Sequence, residues 1–348
     1  MSKEKLLANQ GKYLEESLRS PKYPIAVVIP IHNDWTSAKL LVEALDRALL
    51  QSGYPSHVIL VDDGSTERPP LVPTLSWIKS IRIIRLAVNL GHQRAISVGL
   101  TIASTLNVRN VVVMDGDGED RPEDLIVMLD KAIATPSSII CAQRTRRSEP
   151  LRFRIFYKIY KLVFRLLTGT RIDFGNFMVI PIRLVSTLLR TPSAWNHLAA
   201  SVMRSRIRII RVPTQRGTRY DGESKMNFEA LVLHGMSAIS VYADVAFIRI
   251  LLGTFVFIFI NAIVVAIAIA IRLLTSYATP GWATTVVGSS VNLSMESLVF
   301  AGLSLGLLLQ GRSSKAATPL QEAPQFIEEV EFVSGAVEVS TFGANSCQ

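Results

Sequence analysis

The stretch Val111-Val-Val-Met114-Asp115-Gly-Asp117 decides the fold, together with the earlier stretch His57-Val-Ile-Leu-Val61-Asp62-Asp63-Gly64-Ser65. Each begins with a short apolar run, typical of a buried parallel strand, and ends in aspartates. Ligands of open α/β sheets bind beyond the carboxyl ends of the strands. Carboxylates gathered there repel one another unless they bind a cation or hydrogen-bond donors. A Mg²⁺ or Mn²⁺ ion bridging a nucleotide diphosphate would supply that positive charge.

Strand-like and helix-like segments alternate around these two stretches. The strand-like segments are 25–29, 57–61, 81–84, 111–114 and 138–142, and the helical ones are 36–50, 91–106 and a helix beginning at Pro122. This order predicts an α/β fold with a doubly wound, mostly parallel sheet. No G-x-G-x-x-G follows the first strand, and neither a P-loop nor a zinc motif occurs. A dinucleotide Rossmann site, a P-loop site and a zinc site are therefore not expected.

Two later segments are apolar enough to cross a membrane. Ile250–Ile271 contains no charged residue, and as a helix it would span about 33 Å. The second segment, 284–309, is interrupted by Asn292 and Glu296. The predicted parts of the chain are a polar extension (1–23), a catalytic α/β domain (24–227), an interfacial helix (228–249), transmembrane helices 250–271 and 284–309, and an acidic, disordered tail (313–348).

The charge of the chain is unevenly distributed. The total is +9, whereas the tail holds five Glu and one Lys. A basic body suits anionic lipids and anionic substrates, and it also suits simple solubility. The two cysteines, Cys141 and Cys347, do not form a disulfide framework and fit a reducing compartment.

Seven motifs in order carry a resemblance to a known family. They are V-I-P-x-x-N-E at 28–34, D-D-G-S at 62–65, N-x-G-x-x-x-A at 89–95, D-x-D-x-Q-D-P-P-E at 115–123, a basic cluster at 144–147, D-x-G-D-F at 173–177 and R-x-x-G-x-S-K-[YM] at 219–226. The chain resembles the family 2 glycosyltransferases of GT-A fold, and among them the polyprenyl-phosphate glycosyltransferases such as the dolichol-phosphate mannose synthases. It departs from these motifs at Asp34, Glu119, Arg121 and Asn176, where the family has Glu, Gln, Pro and Asp.

The resemblance implies a nucleotide-sugar site. Its expected residues are Pro30, Asn33, Asp34, Asp62, Asp63, Asn89, Gly91, Arg94 and Asp115. Asp63 is expected to read the base or the ribose, although D-G-S is also ordinary turn chemistry. Asp115 and Asp117 are alternate residues, whose side chains share one side if the strand continues that far.

A metal ion and a phosphate site are implied by the same resemblance. Asp117 is expected to bind Mg²⁺ or Mn²⁺, and Glu119 either adds a ligand or points away. The catalytic residues are expected to be Asp115, Asp117 and Arg219. The lipid phosphate and the diphosphate are expected to be bound by Arg144, Arg147, Arg219, Ser224 and Lys225. Without the motif match, these would be an acidic loop and a solvated basic loop.

The segment 151–167 has the pattern of a basic amphipathic helix. Arg154, Lys158, Lys161 and Arg165 recur at steps of four, three and four, and aromatic and aliphatic residues such as Phe156 and Phe164 occupy the remaining face. Such a helix lies in the plane of the lipid headgroups. The alternative is a helix packed on the domain's own core.

The predicted function is inverting transfer of a hexose-type sugar from a UDP- or GDP-sugar to polyprenyl (undecaprenyl or dolichyl) phosphate. The chain is expected in the bacterial inner membrane, with the catalytic domain and both termini cytoplasmic and no nucleic-acid partner. The sequence leaves the oligomeric state open, and the polar residues within the membrane segments are compatible with a homo-oligomer. Three alternatives stay open. A processive polysaccharide synthase would carry Q-x-x-R-W, which does not occur here. A transferase to a hydroxyl acceptor would use Asp173 as base, and a scaffold would keep the fold without catalysis.

Overall fold

The computed structural model describes residues 22–67, 75–144, 151–222, 228–275, 279–313 and 316–334. The chain divides into two compact units. The first consists of Met1–Glu149, Ile172–Val232 and Ala317–Gln348, and the second of Pro150–Arg171 and Leu233–Ala316. The first unit contains the sheet, and the second contains the long apolar helices.

The first unit is built on an eight-stranded sheet within the described residues. Its strands are β1 (Ile25–Ile31), β2 (Ser56–Asp62), β3 (Ile78–Leu86), β4 (Asn110–Val113), β5 (Ile139–Arg144), β6 (Met178–Pro181), β7 (Ile209–Thr214) and β8 (Ile327–Ser334). Their order is β7-β5-β6-β4-β1-β2-β3-β8. β6 and β8 run antiparallel to their neighbours, and the other pairs are parallel. The predicted mostly parallel sheet is confirmed.

Helices cover both faces of this sheet. They are α1 (Trp35–Ser52), α2 (His92–Ala103), α3 (Pro122–Ala134), α5 (Ile182–Leu189), α6 (Ser193–Asn196) and α7 (Leu198–Arg204). On one face, apolar residues of α1 and α3 such as Leu41 and Leu129 form a core with the strands. On the other face, residues of α2, α5 and α7 such as Leu100 and Leu188 form a second core. The predicted doubly wound arrangement is therefore confirmed.

The acidic tail does not have the disorder predicted for its start. A short helix α11 (Pro319–Glu322), a 3-10 turn (Ala323–Phe326) and β8 follow one another, and β8 pairs antiparallel with β3. Ala323 is fully buried, and the Phe326 ring packs edge-on against Trp195 at 6.1 Å. The prediction was wrong here because it relied on the high glutamate content, which is typical of disorder. The segment is instead ordered by pairing with β3, which is distant in the sequence. Residues 335–348 lie outside the described residues.

This packing gives the first testable prediction. Ala323→Asp places an unpaired charge in a core and is expected to lower the free energy of unfolding by about 3 kcal/mol or more. Gln325→Asp, on an exposed position two residues later, is the matched control and should change stability little. Thermal unfolding of the purified chain in detergent measures both. Equal melting temperatures for the two variants would mean that the tail does not pack on the sheet.

The second unit contains two long apolar helices, α9 (Ala243–Leu274) and α10 (Trp282–Ser313). Both are long and apolar enough to cross a membrane. The predicted interfacial helix 228–249 is divided in the structure: its first part is α8 (Phe228–Ser240), and its last part is the beginning of α9. The first long helix therefore begins earlier than predicted. Residues 243–249 therefore belong to α9.

The predicted basic helix is α4 (Leu151–Thr168), which is one residue longer than expected. It packs on its own unit through Phe164, whose ring meets Tyr242 edge-on at 6.0 Å. The side chains of Ile159, Leu162 and Leu166 are more than half exposed. Lys158, Lys161 and Arg165 are exposed beside them.

Candidate active site

The acidic turn after β4 forms the centre of the candidate site. β4 ends at Val113, so the continuing strand that would place Asp115 and Asp117 on one side is not present. Instead, Gly118 takes a left-handed φ of 88°, and Asp117 Oδ1 accepts a hydrogen bond from the Glu119 amide at 3.0 Å. Burial raises the pKa of Asp117, and the charges of Asp115 and Glu119 raise it further.

Three of the predicted site residues meet at this turn. Arg219 Nη2 lies 2.6 Å from Asp34 Oδ2, and its Nη1 lies 3.4 Å from Asp117 Oδ2. About a fifth of each of these side chains is exposed, so solvent and ligands can reach them. The Arg219 guanidinium thus stands between two carboxylates that come from the ends of β1 and β4.

The segment 215–222 lies directly over the acidic turn. The Gly217 amide donates to the Glu119 carbonyl at 2.9 Å, and the Tyr220 amide donates to the Asp117 carbonyl at 3.0 Å. The Tyr220 ring covers Gly118 so closely that a Cβ there would overlap it. The Gly-rich, polar composition of segment 215–227 is typical of a mobile loop, whereas its described part is fixed to the turn by backbone hydrogen bonds.

Gly118→Ala tests this close packing. The added methyl group meets the Tyr220 ring in a left-handed backbone conformation, which costs about 1–2 kcal/mol in strain alone. We expect the rate of the transfer reaction that the sequence predicts to fall by about tenfold as segment 215–222 lifts from the turn. Gly175→Ala is the control, because no atom lies within 4 Å of its added Cβ. Initial rates of both variants, measured at equal protein, check this; equal rates would contradict it.

Glu119, which the resemblance offered as an extra metal ligand, is engaged by the protein itself. Its carboxylate receives Arg216 Nη2 at 2.6 Å and Arg144 Nη1 at 3.2 Å. Arg144 also pairs with Asp120 at 3.0 Å. This geometry favours a structural role for Glu119 and for Arg144, which was expected to bind phosphate. It also explains how the site tolerates Glu in place of the family's Gln.

Asp62 and Asp63 accept hydrogen bonds from backbone amides of the loops at the carboxyl edge of the sheet. Asp63 accepts hydrogen bonds from the amides of Leu90 at 2.7 Å and Gly91 at 3.0 Å. Asp62 accepts one from Ser65 at 2.8 Å, and its second oxygen lies 3.3 Å from Arg85. Both aspartates are buried. The geometry therefore favours the turn-cap interpretation over direct contact with a nucleotide.

The other predicted nucleotide-binding residues surround the same edge. Asn33 Oδ1 accepts from the Thr66 amide at 2.9 Å, and Asn89 Oδ1 accepts from the Gly91 amide at 3.1 Å. Pro30 is buried within β1, and Arg94 is exposed on the first turn of α2. Arg147, Ser224 and Lys225 lie outside the described residues.

Sequence reasoning missed three residues of this site: His92, Asp120 and Arg216. His92 Nε2 lies 3.3 Å from Asp115 Oδ1 and 3.2 Å from Asn176 Nδ2. Partial desolvation lowers the pKa of His92, whose side chain is 45% exposed, but the hydrogen bond and charge of Asp115, with the charges of Asp63 and Asp117, raise it overall. Burial and the Asp115 charge raise the pKa of Asp120 to about 7. The sequence offered one indication of a site role for His92, namely its position directly after Gly91 in the N-x-G-x-x-x-A motif.

The carboxylates of this turn are suited to a divalent cation that is bound partly by the protein and partly by a phosphate-containing ligand. The described residues contain no group of three or more His, Cys, Asp or Glu side chains arranged around one point. Mg²⁺ is usually bound by one or two carboxylates together with substrate phosphates and water. Asp117, with Asp115 beside it, supplies that number of hard oxygen donors, and a cation would relieve the repulsion that raises the Asp117 pKa.

Comparisons with known proteins agree with this architecture. Residues 26–186 match the model of the glycosyl transferase family 2. An undecaprenyl-phosphate 4-deoxy-4-formamido-L-arabinose transferase of Pectobacterium carotovorum is 28% identical over 214 residues, which are 60% of this chain and 64% of that relative. A dodecaprenyl-phosphate galacturonate synthase of Rhizobium johnstonii is 29% identical over 134 residues, or 37% of this chain and 38% of that protein.

A further relative matches over more of its length. A glycosyltransferase of Bacillus subtilis is 24% identical over 297 residues, which are 81% of this chain and 85% of the relative. Among solved structures, glucosyl-3-phosphoglycerate synthase of Mycobacterium tuberculosis, with Mn²⁺ and UDP-glucose, gives a TM-score of 0.46 at 11% identity, over 64% of this chain and 79% of that one.

Proposed function

We propose that this chain, whose residues 26–186 form a family 2 glycosyltransferase domain, transfers a hexose-type sugar from a UDP- or GDP-sugar to polyprenyl phosphate. Two relatives are named for undecaprenyl phosphate and dodecaprenyl phosphate, and these acceptors belong to one chemical class. The observation that carries the proposal is the meeting of Asp34, Asp117 and Arg219. It joins cation-binding oxygens and a phosphate-binding guanidinium at the carboxyl edge of the sheet.

The membrane helices support a lipid acceptor. α9 and α10 form two candidate spans, and the chain then returns to the catalytic sheet, where β8 pairs with β3. A chain that leaves one sheet and rejoins it crosses a bilayer an even number of times. We therefore propose two crossings, in the bacterial inner membrane, with the catalytic domain on the cytosolic side where nucleotide sugars occur. The exposed basic and apolar residues of α4 suit the headgroup layer.

The reaction chemistry follows from the charges to be handled. A Mg²⁺ or Mn²⁺ ion, when bound by Asp117 and the diphosphate, would stabilise the charge of the leaving nucleotide. Asp115 helps place the nucleotide, and the buried Asp120, paired with Arg144, holds the backbone of the turn through the Asp115 amide. Arg219 can exchange its carboxylate partners for phosphate oxygens, which it can bind through two N–H groups. It thereby lowers the repulsion between the two anionic substrates.

The acceptor phosphate needs no strong base, because it is already ionised at neutral pH. Its oxygen attacks the anomeric carbon as the bond to the nucleotide diphosphate breaks, so one displacement inverts that carbon. A hydroxyl acceptor would need a base, for which Asp173 was the candidate. Asp173 receives Arg211 Nε at 2.9 Å and Gln143 Nε2 at 2.9 Å. This pairing favours a structural role for Asp173 and so favours the phosphate acceptor.

The test uses membranes that contain the full chain, radiolabelled UDP- and GDP-sugars, added polyprenyl phosphate and Mn²⁺ or Mg²⁺. Label that enters the organic phase and is released as sugar by mild acid supports the proposal. Label in polymer would support a polysaccharide synthase, and label on a water-soluble glycan would support a hydroxyl acceptor. No transfer from any donor would support a scaffold. Comparing the two nucleotides identifies the donor class.

A further inference from the structure

We infer that the exposed face of α10 joins two copies of this chain as a parallel helix pair centred on Asn292 and Glu296. The inference rests on the proposed membrane span of α10. Within the helix, amide and carboxyl side chains occur at Asn292, Glu296 and Gln310. All three positions are exposed, and their spacing places them on one face of an α-helix. The opposite face packs on α9 and buries Ser290, Ala301 and Ser304.

Asn292 and Glu296 need a hydrogen-bonding partner because of their depth in the membrane. Glu296 lies near the middle of a helix of 32 residues, so a spanning α10 would hold it near the centre of the bilayer. Ionisable side chains at that depth almost always face a bundle interior or a polar cavity, because hydrocarbon cannot hydrogen-bond to them. Asn292 and Glu296 face away from α9, so within one copy this helix pair does not cover them.

A second copy of the chain fits this face better than lipid or an apolar helix. All copies insert in the same direction, so two α10 helices related by a two-fold axis are parallel and bring equal residues to equal depth. The Asn292 amide both donates and accepts and is therefore complementary to its own copy. Its second N–H can reach the Glu296 carboxyl one turn away. An apolar partner would leave these groups unpaired.

The spacing of the exposed positions supports the same geometry. Positions 285, 289, 292, 296, 299, 303, 306 and 310 are all exposed and follow steps of four and three residues. This is the seam of a two-helix coiled coil. Gly306 lies on the seam, where the lack of a side chain lets two backbones approach.

Cysteine cross-linking in membranes tests the pairing. In a Cys347→Ser background, which leaves the buried Cys141, Val299→Cys and Leu303→Cys place a thiol on the seam. Ala301→Cys and Ser304→Cys, at the same depth but against α9, are the controls. Mild oxidation should give a disulfide-linked dimer from the seam variants and monomer from the controls. Equal cross-linking, no dimer, or an adduct with another protein would overturn the inference.

Glu296 variants separate hydrogen bonding from helix packing. Glu296→Gln keeps a hydrogen-bonding group and should retain the Leu303→Cys dimer, whereas Glu296→Leu should lose most of it. An unchanged dimer in Glu296→Leu would overturn the role of the polar pair. Sugar transfer and resistance to carbonate extraction are measured on the same membranes. Transfer without cross-linking refutes the dimer alone, cross-linking without transfer refutes the proposed function alone, and release by carbonate refutes the span and the dimer with it.

Discussion

Asp117→Asn is expected to abolish sugar transfer while the protein stays folded. The amide keeps the shape of the side chain but removes the charge that would bind the divalent cation. Losing one group that stabilises transition-state charge lowers turnover by about 100- to 1,000-fold, and a lost metal ligand adds to this. Because burial and neighbouring carboxylates disfavour the Asp117 charge, its removal should leave the melting temperature unchanged or slightly higher. Transfer to the organic phase and thermal unfolding measure the two effects.

Glu123→Gln is the matched control for this variant. Glu123 lies six residues further along the same acidic segment, is 66% exposed and pairs only loosely with Arg121 at 3.3 Å. Surface pairs of this kind contribute little. Its transfer rate should stay close to that of the unaltered chain. Near-normal turnover in Asp117→Asn, or an equal loss in both variants, would refute the assignment of Asp117 as the metal ligand.

The part of the fold that the sequence predicted is the part encoded locally. β1, β2 and β4 are apolar runs buried along their length, so composition and length alone identify them. β8 could not be recognised in this way, since its glutamates look solvated and its partner β3 lies more than 200 residues earlier. β6 has four residues and runs antiparallel between β4 and β5, which no local pattern indicates.

For the site too, some features could be predicted from the sequence and others depend on tertiary contacts. The family resemblance assigned Asp34, Asp117 and Arg219 to separate roles in one site, and the structure brings the three side chains into contact. The roles of Asp63 and Glu119 depended on what else approaches their oxygens. Arg216 and Glu119 are 97 residues apart in the sequence, and neither residue type nor spacing predicts that they pair. Motifs locate the site, whereas the assignment of individual carboxylates to ligand or protein needs the tertiary contacts.

Arg219 has two roles that pull in opposite directions. In the structure its guanidinium pairs with Asp34 and Asp117, so it neutralises the Asp117 carboxylate that a divalent cation would use. Under the proposed function, the same group is needed for phosphate oxygens during transfer. Binding of a donor and its cation would then require Arg219 to leave Asp117, which would couple metal binding to the release of a phosphate-binding side chain. Metal binding before the donor arrives is correspondingly disfavoured.

Arg219→Gln should separate these roles by changing two measurements in opposite directions. Transfer should fall by about 100-fold, because the phosphate-binding charge is lost. The affinity for Mn²⁺ without donor should rise several-fold, because Asp117 loses its internal cation and its repulsion from Asp115 and Glu119 then favours a metal. Free Mn²⁺ followed by electron paramagnetic resonance measures that affinity.

Arg216→Gln supplies the contrast for this experiment. Arg216 comes from the same segment but pairs with Glu119 at 2.6 Å, away from the carboxylates assigned to the metal. Its loss should loosen segment 215–222 and slow transfer without raising the Mn²⁺ affinity. A rise in both variants would mean that general negative charge governs metal binding. Weaker Mn²⁺ binding in Arg219→Gln would mean that Arg219 holds Asp117 in place for the metal rather than competing with it.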